Sequence, residues 1–193
     1  MNPSASVADP HASPRASPHA SPHASPHAAP HASAPEPGRL GLVGRLILAC
    51  DGTVTPLVEQ VVGERIVTAG LAHAPEPADE EAARLLAVPV GLTLLSRTTE
   101  LVGARSGLVH VRARTLMVVE ALPAPLRADL LGGDEPIGRL LRRHRVESFR
   151  EIVSSTAPAA QGGGARRYRV VTGGTPAMLI DEVFSARCLG EPV

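Results

Sequence analysis

The chain has 193 residues, with 19 acidic residues against 19 basic ones, all of them Arg, so its formal net charge is zero. Without a basic excess it lacks the phosphate-neutralising charge of a sequence-independent nucleic-acid binder, and two Phe, one Tyr and no Trp leave almost nothing to stack unpaired bases. No run approaches the ~20 apolar residues of a membrane span.

Residues 1–37 are low complexity. From His11 a four-residue unit repeats as HASP, RASP, HASP, HASP, HAAP, HASA, which puts His11, His19, His23, His27 and His31 in phase. Proline takes 9 of these 37 positions. That density forbids a helix, and the segment has nothing to bury. The expectation is a disordered, partly polyproline-like tail that serves as a solvated linker. Its imidazoles would align only on a helix, so no metal site is preorganised. Nor is it a secretory signal, having neither a basic start nor an apolar stretch. Residues 38–193 suit a single domain with a real core. Its two cysteines, Cys50 and Cys188, lie near opposite ends; without a secretory signal they read as free thiols of a cytoplasmic protein.

Within the domain, residues 44–50 (GRLILAC) are a short apolar run. Thr55 before Pro56 is a helix start, Leu57, Val58, Val61 and Val62 make its apolar stripe, and Gly63 is placed to end it. Residues 64–73 read as a strand, 74–80 as a loop and 81–87 as a short helical turn. Two strands follow, 92–102 and 108–120, separated by the hairpin signal GARSG. Residues 123–131 and 136–143 read as helices, the second with Asp134 as a candidate cap. A strand at 145–154, a Gly-rich loop at 161–165 and a hairpin, 166–172 and 175–186 around Gly173-Gly174, complete the chain. Long strands on short links imply antiparallel pairing. The expected fold is therefore α+β, a single antiparallel sheet with helices packed on one side.

No GxGxxG follows a strand, the absence of Lys rules out a phosphate-binding GxxxxGK[ST], and GxSxG, HExxH and CxxC are missing. What remains is strand phase. In PAMLIDEVFS, Glu182 shares a face with Met178, Ile180 and Phe184, while Asp181 points the other way. A carboxylate on an apolar face needs a partner or a raised pKa, and desolvated acids suit proton transfer. In LTLLSRTTELV, Arg97 is in phase with Thr93, Leu95, Thr99 and Leu101, where its planar fork could meet a carboxylate. Arg112 and Arg114 fall opposite the apolar face of their strand, and His110 reads as a surface residue. Phase alone leaves two readings open: a structural ion pair involving Arg97 and Glu182, or an anion pocket in the sheet.

At these segments the chain resembles the chorismate pyruvate-lyase family, particularly its actinobacterial-type branch. The resemblance runs from about Gly44 to Ala186. It is carried by the order of DGTVTPLVEQVVGE (51–64), LLSRTTEL (94–101), ARTLMVVEALP (113–123), GDEPIGRLL (133–141), FREI (149–152) and RRYRVVTGGTPAMLIDEVF (166–184). It implies the same fold, a site closed over by flap segments, no metal or cofactor, and conversion of chorismate to 4-hydroxybenzoate and pyruvate. Carried over by position, the substrate-carboxylate Arg falls on Arg97, the essential acid on Glu182, a second pocket Arg on Arg114, and apolar flap contacts on Val54 and Ile137. The implied partner is the small molecule chorismate, with no nucleic acid and no membrane. The alternative is a non-catalytic domain of the same fold that binds an aromatic carboxylate, as the effector domains of some bacterial transcription regulators do. Such regulators carry a DNA-binding winged helix where this chain carries its repeat, which favours the enzyme.

Overall fold

The computed structural model of the protein describes residues 40–156 and 163–190; the expected tail, and positions 161 and 162 of the Gly-rich loop, lie outside the described residues. Two helices, α1 (Leu42–Ala49) and α2 (Thr55–Val62), lead into β1 (Ile66–Pro77), α3 (Glu80–Leu86), β2 (Thr93–Gly103) and β3 (Val109–Met117). Two more, α4 (Ala124–Gly132) and α5 (Ile137–Arg143), precede β4 (Ser148–Thr156), β5 (Gly164–Thr172) and β6 (Thr175–Phe184). The six strands form one sheet in the order β1-β2-β3-β6-β5-β4, antiparallel throughout. Two three-stranded meanders thus meet along a central β3–β6 seam.

Local chemistry explains the boundaries. Helix α2 has Pro56 in its first turn and stops at Gly63, whose φ of 70° is the left-handed cap that glycine adopts without strain. Asp79 caps α3, its Oδ1 accepting the Ala82 N–H at 2.7 Å. The β5–β6 turn needs positive φ at both central residues, which Gly173 and Gly174 supply. Three expectations are corrected. Strand β1 continues to Pro77 instead of ending at residue 73. Pro75 and Pro77 are tolerated there because β1 is an edge strand and their missing donors share its unpaired side. Strand β3 ends at Met117, and Val119–Ala121 form a 3-10 turn. Helix α5 starts directly after Pro136 without a side-chain cap, so Asp134 does not serve it.

Four helices gather on one face of the sheet, leaving α3 to cover part of the other with Leu94, Leu116 and Leu179 beneath it. On the main face the apolar core has two parts. At one end α1 and α2 pack Ile47, Leu48, Val54 and Val58 on Leu101, Val111 and Phe184. At the other, α4 and α5 pack Leu126, Leu130 and Leu140 on Met117, Val170, Met178 and Ile180. Each fully buried side chain of this size contributes ~1.5–3 kcal/mol. Between the two parts the same sheet face turns polar.

Candidate active site

The polar break is created by strand register. Across the sheet, Arg97, Thr115, Ile180 and Tyr168 lie in one row, and Thr99, Ala113, Glu182 and Arg166 in the next but one along the strands. Directly opposed residues share a face, so all eight side chains point the same way. A partly open cavity lies over all of them but Arg166. Its roof comes from the segment before α2 (Gly52, Thr53, Val54, Thr55) and the start of α5 (Pro136, Ile137, Gly138), with Arg150 of β4 at one side. The two roof segments touch: a methyl group at Gly138 would meet Thr53 Cγ2 at 2.7 Å. Arg139 Nη2 holds Glu59 Oε1 at 3.1 Å and ties α5 to α2 beside this contact.

Arg97 is 1% exposed and has no carboxylate within ion-pair distance among the described residues. Its Nη2 donates to the Glu135 carbonyl oxygen at 3.0 Å, while Nε and Nη1 are buried without a hydrogen-bond partner. Burial pushes its guanidinium below the ordinary arginine value, with Asp134 opposing the shift. Buried donors are nearly always satisfied, so the N–H donors on these two nitrogens, at a cavity wall, suit an acceptor, best an anion. The open alternative of an Arg97–Glu182 ion pair is not what the structure holds. Their positions are two strands and two residues apart, about 12 Å between Cα atoms from sheet spacings, and the cavity lies between them.

Glu182, 6% exposed, is held from behind. Arg166 Nε donates to its Oε2 at 2.7 Å and the Tyr168 hydroxyl donates to its Oε1 at 3.0 Å. Arg166 is itself buried and stacks on the Tyr168 and Phe184 rings, 4.8 and 5.5 Å from their centroids. Its Nη1 donates to the carbonyl oxygens of Ile47 and Cys50, anchoring the pair to the end of α1 where the roof begins. Burial alone would lower the Arg166 value, but the Glu182 carboxylate reverses this and the guanidinium is held above its ordinary value. Burial, followed by the Glu182 charge, drives the Tyr168 phenol well above its ordinary value, so Tyr168 acts as a donor. With two of roughly four lone-pair directions used, the carboxylate can still accept hydrogen bonds from the cavity.

Of the residues singled out in the sequence, Arg97, Glu182, Val54 and Ile137 all line this one cavity. Arg114 is not among them. It lies on the opposite face of β3, paired with Glu76 and 4.0 Å from Asp181, so the expectation of a second pocket Arg at this position is corrected by strand parity. His110, expected at the surface, is 1% exposed, with Nε2 3.7 Å from Glu64 Oε1. Arg166, Tyr168 and Arg150, which line or support the cavity, are not singled out by the sequence. The alternation of Arg166, Tyr168 and Val170 was visible in RRYRVVT, but their pairing with Glu182 was not.

The family model described as "Chorismate pyruvate-lyase Rv2949c-like" matches residues 48–189. The chain belongs to this family. Two relatives are proteins named chorismate pyruvate-lyase. That of Mycobacterium tuberculosis (strain ATCC 25618 / H37Rv) is 28% identical over 156 residues, covering 72% of this chain and 78% of the relative. That of Mycobacterium leprae (strain TN) is 26% identical over 153 residues, covering 72% of each. Among solved structures, the effector domain of PhnF from Mycobacterium smegmatis superposes with a TM-score of 0.52 at 15% identity, over 69% of this chain and 88% of that one. A longer PhnF structure gives 0.53 at 14% identity, over 71% and 65%. These two likenesses establish the fold that the lyase family member shares with them, and no more.

Proposed function

We propose that the protein is a chorismate lyase that converts chorismate to 4-hydroxybenzoate and pyruvate in the cavity between Arg97 and Glu182. The observation that carries the reading is Arg97, a buried guanidinium whose Nε and Nη1 have no partner, on the wall of a cavity whose far side holds an oriented carboxylate. Chorismate is a cyclohexadiene with a ring carboxylate, a ring hydroxyl and an enolpyruvyl ether. Arg97 grips the ring carboxylate and Glu182 accepts a hydrogen bond from the ring hydroxyl, so the ring lies across Thr99, Ala113 and Thr115. The ether C–O bond to the ring breaks, and its electron pair leaves with enolpyruvate. The hydrogen on the hydroxyl-bearing carbon departs as a proton, which makes the ring aromatic. Enolpyruvate takes a proton at its methylene carbon to give pyruvate, so atoms balance without a redox partner.

Aromatisation supplies the driving force, and the protein's part is to orient the ring and handle protons. Apolar Val54 and Ile137 in the roof exclude water, which strengthens the charged contacts beneath them. The test is incubation of the purified protein with chorismate and separation of products. Equimolar 4-hydroxybenzoate and pyruvate are expected, with turnover lost in Glu182→Gln. Absence of both products overturns the reading, and tight binding of 4-hydroxybenzoate without turnover would favour the non-catalytic binding domain instead.

A further inference from the structure

We infer that the cavity is built for a dianion, and that Arg150 is the contact for its second negative charge. This rests on the lyase reading and names the group that distinguishes substrate from aromatic product. The argument is one of charge. Three ionic side chains line the cavity: Arg97, Arg150 and Glu182. Glu182 is neutralised from behind by Arg166, 2.7 Å away. Among the described residues neither Arg97 nor Arg150 has a carboxylate within ion-pair distance, although the Asp134 charge reaches Arg97, whereas Arg112, Arg114, Arg139, Arg143, Arg167 and Arg169 are each ion-paired elsewhere on the domain. Two guanidiniums without an ion-pair partner therefore line one cavity, and a monoanion would meet only one of them directly.

Arg150 sits on β4 opposite Val170, at the far side of the sheet from Arg97, so the two cations bracket the floor. It is half-buried, and its Nη1 is 3.4 Å from the Asp51 carbonyl oxygen, just before the roof segment Gly52–Thr55. Its charge reaches the Tyr168 phenol, the residue that orients Glu182. A guanidinium has five donors, so Arg150 can keep the Asp51 carbonyl and still present a fork to a carboxylate. In chorismate the second carboxylate belongs to the enolpyruvyl group. Arg150 then holds the fragment that leaves as pyruvate and makes no charged contact with 4-hydroxybenzoate.

Arg150 is a binding residue by this argument, holding its carboxylate equally in ground and transition states, so its loss falls on KM and spares kcat. In Arg150→Gln, KM for chorismate is expected to rise about 10- to 100-fold, the loss of one charge-assisted contact. The dissociation constant for 4-hydroxybenzoate, read by titration calorimetry, stays within about two-fold, and Arg150→Lys recovers part of the KM. An unchanged KM overturns the proposal. So does an equal loss of chorismate and 4-hydroxybenzoate binding, which would make Arg150 a support of the pocket rather than a contact. Failure of the lyase reading is seen separately, in the wild type. If chorismate binds without turnover, the ratio of its affinity to that of 4-hydroxybenzoate in wild type and Arg150→Gln still decides the matter. If the wild type does not bind chorismate at all, both proposals fall.

Discussion

Replacing Glu182 by Gln removes one charge of a buried pair and strands the other. Arg166 is 2% exposed, its Nη1 is committed to the carbonyls of Ile47 and Cys50, and its guanidinium lies over the Tyr168 and Phe184 rings, so it cannot swing out to water. A guanidinium does not discharge, and breaking a buried pair on one side costs about 3–5 kcal/mol. Gln keeps an oxygen that can accept from Nε, which puts the expectation near the lower figure. For a domain of this size each kcal/mol moves the melting temperature about 2–4 °C, so Glu182→Gln should melt roughly 6–12 °C below wild type. Thermal unfolding followed by circular dichroism measures this. The double variant Arg166→Met/Glu182→Leu removes both charges and is expected to recover to within about 3 °C of wild type, because apolar replacement of a whole buried pair is often neutral or better. Recovered stability with no turnover would separate the pair's structural part from its chemical one. Melting of Glu182→Gln within about 2 °C of wild type, or a double variant as weak as the single, would refute the account of Arg166 as a trapped charge.

Arg97→Met removes a buried cation with two unpaired nitrogens; the ligand-free protein should melt at or above the wild-type temperature, while calorimetry shows 4-hydroxybenzoate affinity lowered about 10- to 100-fold. Gly138→Ala pushes a methyl into Thr53 and should lower kcat/KM; Thr53→Ala removes the atoms it meets, leaving Cβ 3.5 Å away, so the double variant should regain about 1 kcal/mol of coupling. The Ser106 hydroxyl, then the Arg105 and Ser106 backbone N–H groups, hold the Glu64 carboxyl down from 4.5 to about 2. Its folded value is depressed, so its contribution is complete above pH 4.5 and is lost as pH falls towards 2; melting curves of Glu64→Gln should therefore decline less than those of wild type across that range. Deleting residues 1–37 should leave turnover of chorismate unchanged if the repeat is a linker.

Much of the fold is legible in the chain because hydrophobic phase, turn residues and helix caps agree with one another there: Pro56 and Gly63 bracket α2, and Gly173-Gly174 mark the last hairpin. Arg97 and Glu182 are legible for the opposite reason, since each is a charge in an apolar or small-residue phase. Their partners are hidden by register. The Gly-Gly turn pairs Thr172 with Thr175, and an uninterrupted ladder would then set Arg166 against Asp181. A bulge between Val170 and Val171 shifts the register by one residue and sets Arg166 against Glu182 instead. Its local mark is Pro176, which a central strand tolerates beside such a bulge. Arg114 shows the converse: its strand parity already pointed away from the apolar face, and the structure follows parity.

The central seam has a consequence for how the protein becomes competent. Val54 and Arg97 precede it in the chain; Ile137, Arg150, Tyr168 and Glu182 follow it. Neither meander alone contains both ends of the cavity, and the β3–β6 pairs join residues about 70 positions apart. Contacts so distant in sequence form late. During synthesis the first meander is complete long before its partner exists, and it carries Arg97 with nothing to face. Two fragments divided in the segment before α4 would each lack a site, and ligand binding would appear only on their reassociation. A bound anion then acts as a clasp across the seam, favouring the assembled sheet by mass action.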